Sequence, residues 1–410
     1  MAVQQRGGGI RKMKIKFVPK RVSAKAFGLA VRVLAGCVVL QTSAFAQFNA
    51  SFVRQWGSGG SGDGQFAGVH SLNYSPLQRI YVADEAHHRI QYFTLNGTYL
   101  GQWGTWGQGT SEIVNPVSIA FTPAGVVYVV ERDNHRIHYF TASGGHLGMW
   151  GGNGTGDGQF KRPSSAAFAP DGTLFVADRD NHRIQHFTTN GVFLGKFGSQ
   201  GSGDGQMNEP MGVGVSRDGI VYVSDSINRR ILRFSTNGVF LDKFGSVGSG
   251  NSQFGTSSIY NNGPAGMSFD RLGYVYIADP DNNRIQVFNG TNFIGSFGGY
   301  GTGGGKFYFS NFAACAPGWQ VYVADESNNQ VQQMTVTIGS ATNALVLQCG
   351  VSGPSWTMQV EALPDRNHAV KRSTDLLNWT AFTNVNTPSG IFTVNDPIPP
   401  GTNRMFYRVE

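Results

Sequence analysis

Short runs of alternating apolar and polar residues fill most of the chain, and this period of two predicts β-strands rather than helices. Residues 164–197 show the pattern clearly, because turn-forming residues separate four such runs. Pro170-Asp171-Gly172 and Asn190-Gly191 supply two of the turns. The unit therefore predicts four antiparallel strands, named a to d, at residues 164–169, 174–177, 183–188 and 192–197.

The four-stranded unit occurs six times, and an acidic residue ends strand b in each copy. These residues are Asp84, Glu131, Asp178, Asp225, Asp279 and Asp325. Successive markers stand 47, 47, 47, 54 and 46 residues apart. Such a spacing, with four strands per repeat, is typical of the blades of a β-propeller. The sequence therefore predicts an all-β fold that contains a six-bladed β-propeller.

The two ends of the repeat region indicate how the ring closes. Residues 51–57 (SFVRQWG) align with residues 98–104 (TYLGQWG), which form a strand d, yet no strand a, b or c precedes them. Residues 330–336 match a strand c, and no strand d follows them. We expect the N-terminal strand to complete the sixth blade and to leave no unpaired edge in the ring.

Glycine-rich loops join strand d of one blade to strand a of the next. They read SGDGQF at 61–66, GTGDGQF at 154–160 and SGDGQM at 202–207. Glycine permits the positive-φ path that a tight connection needs. A phosphate-binding P-loop would require Gly-Lys-Ser/Thr leading into a helix, and these loops lack that sequence. We interpret them as connections between blades.

Polar residues recur at the corner between strands b and c. We expect Asp178 to accept hydrogen bonds from backbone N–H groups of this corner. His88, His135 and His182 are 47 residues apart and occupy equivalent places in separate blades, which favours a structural role over metal binding. Arginines that recur in the same way are expected to hydrogen-bond between blades. They are Arg89, Arg136, Arg183, Arg230 and Arg284.

Alternation along the innermost strands predicts that one register faces the central channel. Its members are Ser71, Asn73, Ser118, Ala120, Ser165, Ala167, Gly212, Gly214, Gly266, Ser268, Phe312 and Ala314. None of them is His, Asp or Glu, so this register offers no ligand for zinc or calcium. Ser118 and Ser165 have no nearby base. Cys315 belongs to the other register of the innermost strands, which is expected to pack between blades. The sequence therefore predicts no catalytic residue, no metal site and no cofactor.

These motifs resemble the NHL-repeat family, whose name-giving triplet appears here as Asn134-His135-Arg136 and Asn181-His182-Arg183. The glycine loop, a proline before strand a, the YVAD strand and the NHRI strand match the family over roughly residues 50–336. The resemblance implies an NHL-type six-bladed propeller. Propellers similar to these serve as RNA-binding or protein-binding platforms and as a metal-dependent amidating lyase. Related rings include metal-dependent lactonases and the streptogramin lyase, so the resemblance leaves the function open.

The first 46 residues have the composition of a signal peptide. They hold nine Lys or Arg and no Asp or Glu, followed by an apolar run at 33–40 and by Ala44-Phe45-Ala46. Translation from Met13 would give a shorter signal, and lipidation of Cys37 is a second open possibility. We expect a secreted, periplasmic or cell-surface protein without a membrane span after signal removal. The remaining residues carry 23 of the 32 basic side chains against 25 acidic ones, which argues against nucleic-acid binding.

The C-terminal segment lacks the repeat and resembles a small β module common in large secreted bacterial proteins. We predict a propeller at 47–337, a linker at 335–343 and a small β-sandwich-like domain at 338–410 with Trp356, Trp379 and Phe406 in its core. Whether Cys315 pairs with Cys349 stays open.

The face shared by the d-to-a loops and b-to-c corners combines aromatic residues with both signs of charge, a composition typical of recognition surfaces. We predict an exported binding or scaffold protein that contacts a protein or glycan partner through this face. The alternative is a metal-dependent lyase or lactonase-like enzyme on the same scaffold. The candidate binding residues are Trp106, Tyr260, Tyr300, Arg132, Arg179, Glu85 and Asp281.

Overall fold

The structure is a computed structural model that describes residues 48–255 and 263–338 in full. Outside these ranges it gives backbone strands alone. Leu29–Leu34 pairs antiparallel with Cys37–Thr42. Near the C-terminus, Leu345–Ser352, Ser355–Glu361 and Ile391–Pro397 form one three-stranded sheet, and Thr380–Asn386, Asn367–Ser373 and Phe406–Val409 form another. Within the described residues, no helix has the length and apolar character needed to cross a membrane.

Six four-stranded antiparallel sheets form the blades, which confirms the six-bladed propeller. Blade 1 comprises Val69–Tyr74, Arg79–Asp84, Arg89–Thr94 and Tyr99–Trp103. Blade 2 comprises Pro116–Phe121, Val127–Glu131, Arg136–Phe140 and His146–Gly151. Blade 3 comprises Ser165–Phe168, Leu174–Asp178, Arg183–Phe187 and Phe193–Phe197. Blade 4 comprises Pro210–Val215, Ile220–Asp225, Arg230–Ser235 and Phe240–Phe244. Blade 5 comprises Met267–Phe269, Val275–Asp279, Arg284–Asn289 and Asn292–Gly298. Blade 6 comprises Ser310–Ala316, Gln320–Asp325, Gln330–Ile338 and Phe48–Trp56.

Smaller elements occupy the connections between these strands. Ser246–Val247 pairs in parallel with Gln253–Phe254 between blades 4 and 5. Three corners between strands b and c form short 3-10 turns, at Glu85–His87, Arg179–Asn181 and Pro280–Asn282.

The N-terminal strand completes blade 6, as the sequence predicts. Phe48–Trp56 runs antiparallel to Gln330–Ile338, with Phe48 opposite Ile338 and Trp56 opposite Val331. The prediction that a linker begins at residue 335 is wrong, because strand c of blade 6 continues to Ile338. The side chains of Val336 and Ile338 are buried, so the alternation that keeps them in the core extends the strand.

One hydrophobic cluster fills each of the six interfaces between neighbouring blades. The cluster between blades 6 and 1 joins the two ends of the repeat region, since Phe312 and Val331 pack there with Leu72 and Phe93. Tyr322 of blade 6 also donates a hydrogen bond to the Leu95 carbonyl of blade 1, at 3.1 Å. The ring is therefore continuous.

The two flat faces of the ring differ in their connections. The d-to-a loops and the b-to-c corners lie on one face, which we name the loop face. The a-to-b and c-to-d turns lie on the opposite face, which we name the turn face. Each d-to-a connection begins with a ten-residue glycine-rich entry loop. The entry loops are residues 57–66, 104–113, 151–160, 198–207, 245–254 and 298–307.

Candidate functional site

A buried arginine fixes the entry loop of blade 3 on the loop face. Arg183 donates from Nε to Asp178 Oδ2 at 2.7 Å. Its Nη atoms donate to the carbonyls of Thr155, Gly156 and Gln159 at 2.8–3.0 Å. The equivalent arginines make the same set of bonds in three other blades; they are Arg89, Arg230 and Arg284. The recurring arginines are thus structural and hold the connection from the preceding blade.

The predicted role of Asp178 is wrong in its detail. Its Oδ1 accepts the backbone N–H of Lys161, just after the entry loop, at 2.7 Å. Its Oδ2 accepts from the side chains of Asn181 and Arg183, and the b-to-c corner receives no side-chain cap from it. A buried carboxylate accepts several hydrogen bonds at once. Asp178 therefore ties the loop to the blade instead of closing the corner.

The repeated histidines link each blade to the next. His182 adopts a left-handed conformation (φ 54°), and its Nδ1 accepts the backbone N–H of Glu209 at 3.1 Å. His88 and His135 accept from Asn115 and Arg162 in the same way. Nδ1 is the acceptor in all three, so the neutral ring carries its proton on Nε2. These contacts support the structural interpretation of the repeated imidazoles.

Blade 2 departs from this pattern. Glu131 replaces the aspartate and His138 replaces the glutamine that several other blades place beside it. The buried His138 Nδ1 lies 2.8 Å from Glu131 Oε1, and its Nε2 lies 2.8 Å from Nδ1 of the exposed His146. Arg136 Nε also donates to Glu131, at 2.9 Å. The carboxylate and two imidazoles form a chain from the blade interior to its edge.

The third residue of every entry loop is exposed and differs from blade to blade. We name these six residues the recognition ring. They are Gly59, Trp106, Asn153, Gln200, Val247 and Tyr300. Trp106 and Tyr300 each expose 72% of their surface and Val247 exposes 62%. The ring places variable side chains at one repeated position of a fixed scaffold, a relation that sequence alignment of the complete loops would have shown.

Asparagine side chains fix the backbone next to each of the two aromatic members. Beside Trp106, the Asn134 side chain donates to the Gly107 carbonyl at 3.1 Å. Beside Tyr300, Asn328 donates to the Gly301 carbonyl at 2.9 Å. The Tyr300 ring also meets the half-exposed Tyr308 ring edge to face, with centroids 5.3 Å apart. The third predicted aromatic, Tyr260, lies outside the described residues.

The predicted charged residues pair across neighbouring blades. Arg132 Nη1 of blade 2 lies 2.7 Å from Glu85 Oε1 of blade 1. Arg179 of blade 3 contacts Glu209, which precedes blade 4, at 2.5 Å. Arg229 Nη1 lies 3.9 Å from Asp281 Oδ2, between blades 4 and 5. The structure brings Glu85 and Arg132 together, whereas Arg179 and Asp281 lie in separate pairs around the ring.

The loop-face end of the axis contains a histidine that the sequence interpretation missed. A hollow of about 10 Å³ lies there, and one repeated position, at or just before the start of each innermost strand, lines it in all six blades. The six residues are His70, Val117, Ser164, Met211, Ala265 and Asn311. His70 Nδ1 lies 3.0 Å from the Val117 carbonyl and must donate to it, so Nε2 bears the lone pair of the neutral ring. The signal available was that His70 is the one ionisable residue at this repeated position.

Glu326 adjoins this end of the axis. Its carboxylate accepts a hydrogen bond from Asn311 Nδ2. Burial raises the pKa of Glu326, while His70 and Arg132 act to lower it. His70 and Asn311 both line the small hollow and Asn311 contacts Glu326, so an imidazole and a carboxylate lie at the same end of the axis, beside a hollow with room for about one water molecule.

The prediction that one register of the innermost strands faces the channel is wrong. Ser118 Oγ accepts the Ala166 N–H at 3.3 Å and Ser165 Oγ accepts the Val213 N–H at 3.2 Å, so both serines lie between blades. The sheets of neighbouring blades pack face to face, and both registers of an innermost strand therefore point toward a neighbour. Residues of both registers line the axis near its two ends.

Toward the turn face, the axis widens into a cavity of about 620 Å³, which we name the axial chamber. Among the described residues, Arg217 is the one charged side chain that lines it. Cys315 also borders it and accepts a hydrogen bond from Ser268 Oγ at 3.2 Å. Burial raises the pKa of the Cys315 thiol well above its usual value. The possible partner Cys349 has no described side chain.

A metal site would need several ligands in one place. In the ranges that the structure describes, no three His, Cys, Asp or Glu side chains converge in a way that could hold a metal ion.

The NHL repeat family model matches residues 160–187, which include strands b and c of blade 3 and their shared corner. The chain is a six-bladed β-propeller, and its blade 3 matches the NHL repeat. No curated protein matches the chain significantly.

Solved structures share the propeller fold at low sequence identity. A protein of unknown function from Bacteroides thetaiotaomicron has a TM-score of 0.52 at 14% identity, over 75% of this chain and 84% of that one. A catalytically inactive variant of virginiamycin B lyase from Staphylococcus aureus with quinupristin has a TM-score of 0.49 at 16% identity, over 70% and 99%. A gluconolactonase from Xanthomonas campestris has a TM-score of 0.49 at 15% identity, over 66% and 87%. The likeness is one of fold.

Proposed function

We propose that this NHL-repeat propeller is an exported binding protein whose loop face holds a protein partner. The recognition ring carries the proposal. A scaffold that repeats one loop six times and varies its exposed third residue is built to change contacts without changing fold. Two of the six residues are aromatic and strongly exposed, and the backbone beneath each is fixed by an asparagine side chain.

Exposed aromatic side chains on rigid loops favour binding. Trp and Tyr bury a large area and lose little rotamer entropy when they do so, which is why they are enriched among interface hot spots. Trp106 and Tyr300 meet this description, and Tyr308 adds a second ring beside Tyr300. We expect these rings to anchor the partner, while the ion pairs around them contribute mainly to orientation.

The placement of the anchors favours a protein partner over a small glycan. Trp106 lies between blades 1 and 2 and Tyr300 lies between blades 5 and 6, so two blades of the ring, 6 and 1, separate them. A partner that contacts both must extend across about a third of the ring. A protein surface provides that extent, and a glycan partner is the other outcome of the test.

The test compares cross-linking of the wild-type protein with that of a Trp106→Ala/Tyr300→Ala double variant. Proteins cross-linked in extracts of the source cells are identified by mass spectrometry, and the affinity of each candidate is measured with purified components. Truncating one hot-spot residue costs about 2 kcal/mol, or about 30-fold in Kd. We expect the double variant to lose the partner.

A control truncates two exposed apolar side chains on the opposite face. Val192 and Val239 are exposed in c-to-d turns, so Val192→Ala/Val239→Ala should leave the partner bound. A partner that the Trp106→Ala/Tyr300→Ala protein binds normally would show that the loop face is not the site. Binding in a glycan array with the same dependence on Trp106 and Tyr300 would assign a glycan instead.

The lyase or lactonase alternative is supported by the presence of His70 and Glu326 at the loop-face end of the axis, where Asn311 contacts Glu326 and lines the same hollow as His70. The adjoining hollow of about 10 Å³ is too small for a substrate, and this supports the binding role over catalysis. Stoichiometric Zn²⁺ or Ca²⁺ in the purified protein, measured by elemental analysis and lost in a His70→Ala variant, would favour the enzyme.

A further inference from the structure

The axial chamber lies on the opposite side of the ring from the proposed protein-binding face, and it forms a blind pocket. Phe312 lines both the chamber and the small hollow beside His70, so its ring stands between them. Gly266 makes room for that ring, since a Cβ at this position would lie 2.1 Å from Phe312 Cδ2. The chamber is therefore entered from the turn face.

The mouth of the chamber is preformed. Pro76, Pro123 and Pro170 line it from the a-to-b turns of blades 1, 2 and 3. Proline fixes φ and so restricts the movement of each turn. A volume of about 620 Å³ falls within the range of about 300–1,000 Å³ that small-molecule sites occupy.

The wall is largely apolar and partly aromatic. The last innermost-strand position contributes Tyr74, Phe121, Phe168 and Phe269 in four of the six blades. Polar wall residues already have partners within the protein: Asn73 Nδ2 donates to the Ile119 carbonyl at 2.9 Å, for example. The wall thus suits the body of an apolar or aromatic ring system.

Charge is confined to the mouth. Arg217 is exposed there, and its Nη1 donates to the Arg271 carbonyl at 3.1 Å, which orients the guanidinium and leaves Nη2 for a ligand. An arginine fork is well shaped to hold a carboxylate. Among the described lining residues, no carboxylate competes with a ligand for it.

We propose that the axial chamber binds a small amphipathic anion, with a ring system inside the chamber and an acidic group at Arg217. The class includes aromatic and alicyclic carboxylic acids. The site is independent of the loop face, so the two proposals can fail separately.

Two fluorescent probes with the same ring system test the proposal on the purified protein. 1-Anilinonaphthalene-8-sulfonate is anionic, and N-phenyl-1-naphthylamine is its uncharged counterpart. We expect one saturable site for each probe. Thr189→Trp places a large side chain at the mouth without touching the cores between blades, and it should abolish binding of both. Thr122→Trp is a second blocking variant on another blade, in case the first fails to fold.

The charge at the mouth is tested separately. Arg217→Gln should weaken binding of the anionic probe at least 10-fold and leave the neutral probe within 2-fold. Lys243→Gln removes one positive charge from an exposed strand of the same blade and should change neither. Probe binding that survives both blocking variants would overturn the chamber as the site. An equal effect of Arg217→Gln on the two probes would overturn the anion preference.

Discussion

Replacing Arg183 with alanine should destabilise the propeller strongly, because one side chain joins the entry loop to blade 3. Its guanidinium is almost fully buried and makes four hydrogen bonds, one to the carboxylate of Asp178 and three to loop carbonyls. The Gln159 carbonyl would keep a second donor, the Gln185 side chain, at 2.7 Å. The main loss of stability therefore comes from the buried Asp178 carboxylate, which loses its charged partner.

The loss of stability in Arg183→Ala depends on which hydrogen bonds the Asp178 carboxylate keeps. Removing one partner of a buried ion pair costs about 3–5 kcal/mol. Asp178 would still accept from the Lys161 N–H and from the side chains of Asn181 and Gln185. We therefore expect a loss of about 2–4 kcal/mol in the free energy of unfolding for Arg183→Ala.

Two variants provide the comparison. Blade 6 has Gln330 in place of this arginine, and its Nε2 reaches Asp325 Oδ2 at 2.7 Å, so Arg183→Gln should cost only about 1 kcal/mol. Lys196 contacts Asp157 of the same entry loop at 2.5 Å, but both side chains are about half exposed. Lys196→Ala should therefore cost about 0–1 kcal/mol.

Urea unfolding monitored by tryptophan fluorescence gives the free energy of each variant, provided that the denaturant dependence stays unchanged. The reasoning fails if Arg183→Ala is within 0.5 kcal/mol of Lys196→Ala. It also fails if Arg183→Gln is as damaging as Arg183→Ala, because the carboxylate would then not be the source of the cost.

Three further predictions concern closure, pH and processing. Deleting residues 48–56 should expose a strand edge and cause aggregation in light scattering, and a soluble variant with the parent's melting curve would contradict the closure. Burial lowers the pKa of His88 and His135 below about 6.5, the usual unfolded value, so stability should be complete above about pH 6.5 and fall as the pH decreases through their folded pKa values. Exchanging both for the asparagine that blades 5 and 6 use at this corner should reduce the slope of urea midpoint against pH, and an unchanged slope would exclude these two imidazoles as its source. N-terminal sequencing of exported protein should begin near Gln47, and a lipid on Cys37 as the first residue would refute this cleavage.

The propeller was predictable because its information is local and repeated. Each blade carries its own turn signals and its own acidic residue after strand b, so a misread blade is corrected by five others. Closure is predicted because one end of the repeat region has an isolated strand d and the other end lacks one. The extension of blade 6 to Ile338 was not evident, because Thr335 and Thr337 resemble linker residues until the apolar residues that alternate with them are seen to be buried.

The axis was predicted less well, for a geometric reason. A period of two tells which side chains share a face of a strand, but not which face meets a neighbouring blade. Ser118 and Ser165 were therefore assigned to a channel although they bond to the next blade. His70 is not part of the pattern of repeated histidines, because no other blade has a histidine at the equivalent position. Its location at the same end of the axis as Glu326 depends on contacts between blades 1 and 6, which lie at opposite ends of the sequence.

The pairing of Phe48 with Ile338 also places the two ends of the propeller next to each other. Both residues stand at the turn-face end of blade 6, so the segments that precede residue 48 and follow residue 338 depart from neighbouring points on one rim. An attachment to a cell surface through either segment would hold the propeller by that rim. The recognition ring would then point away from the surface toward arriving partners, while the mouth of the axial chamber would open on the sheltered side.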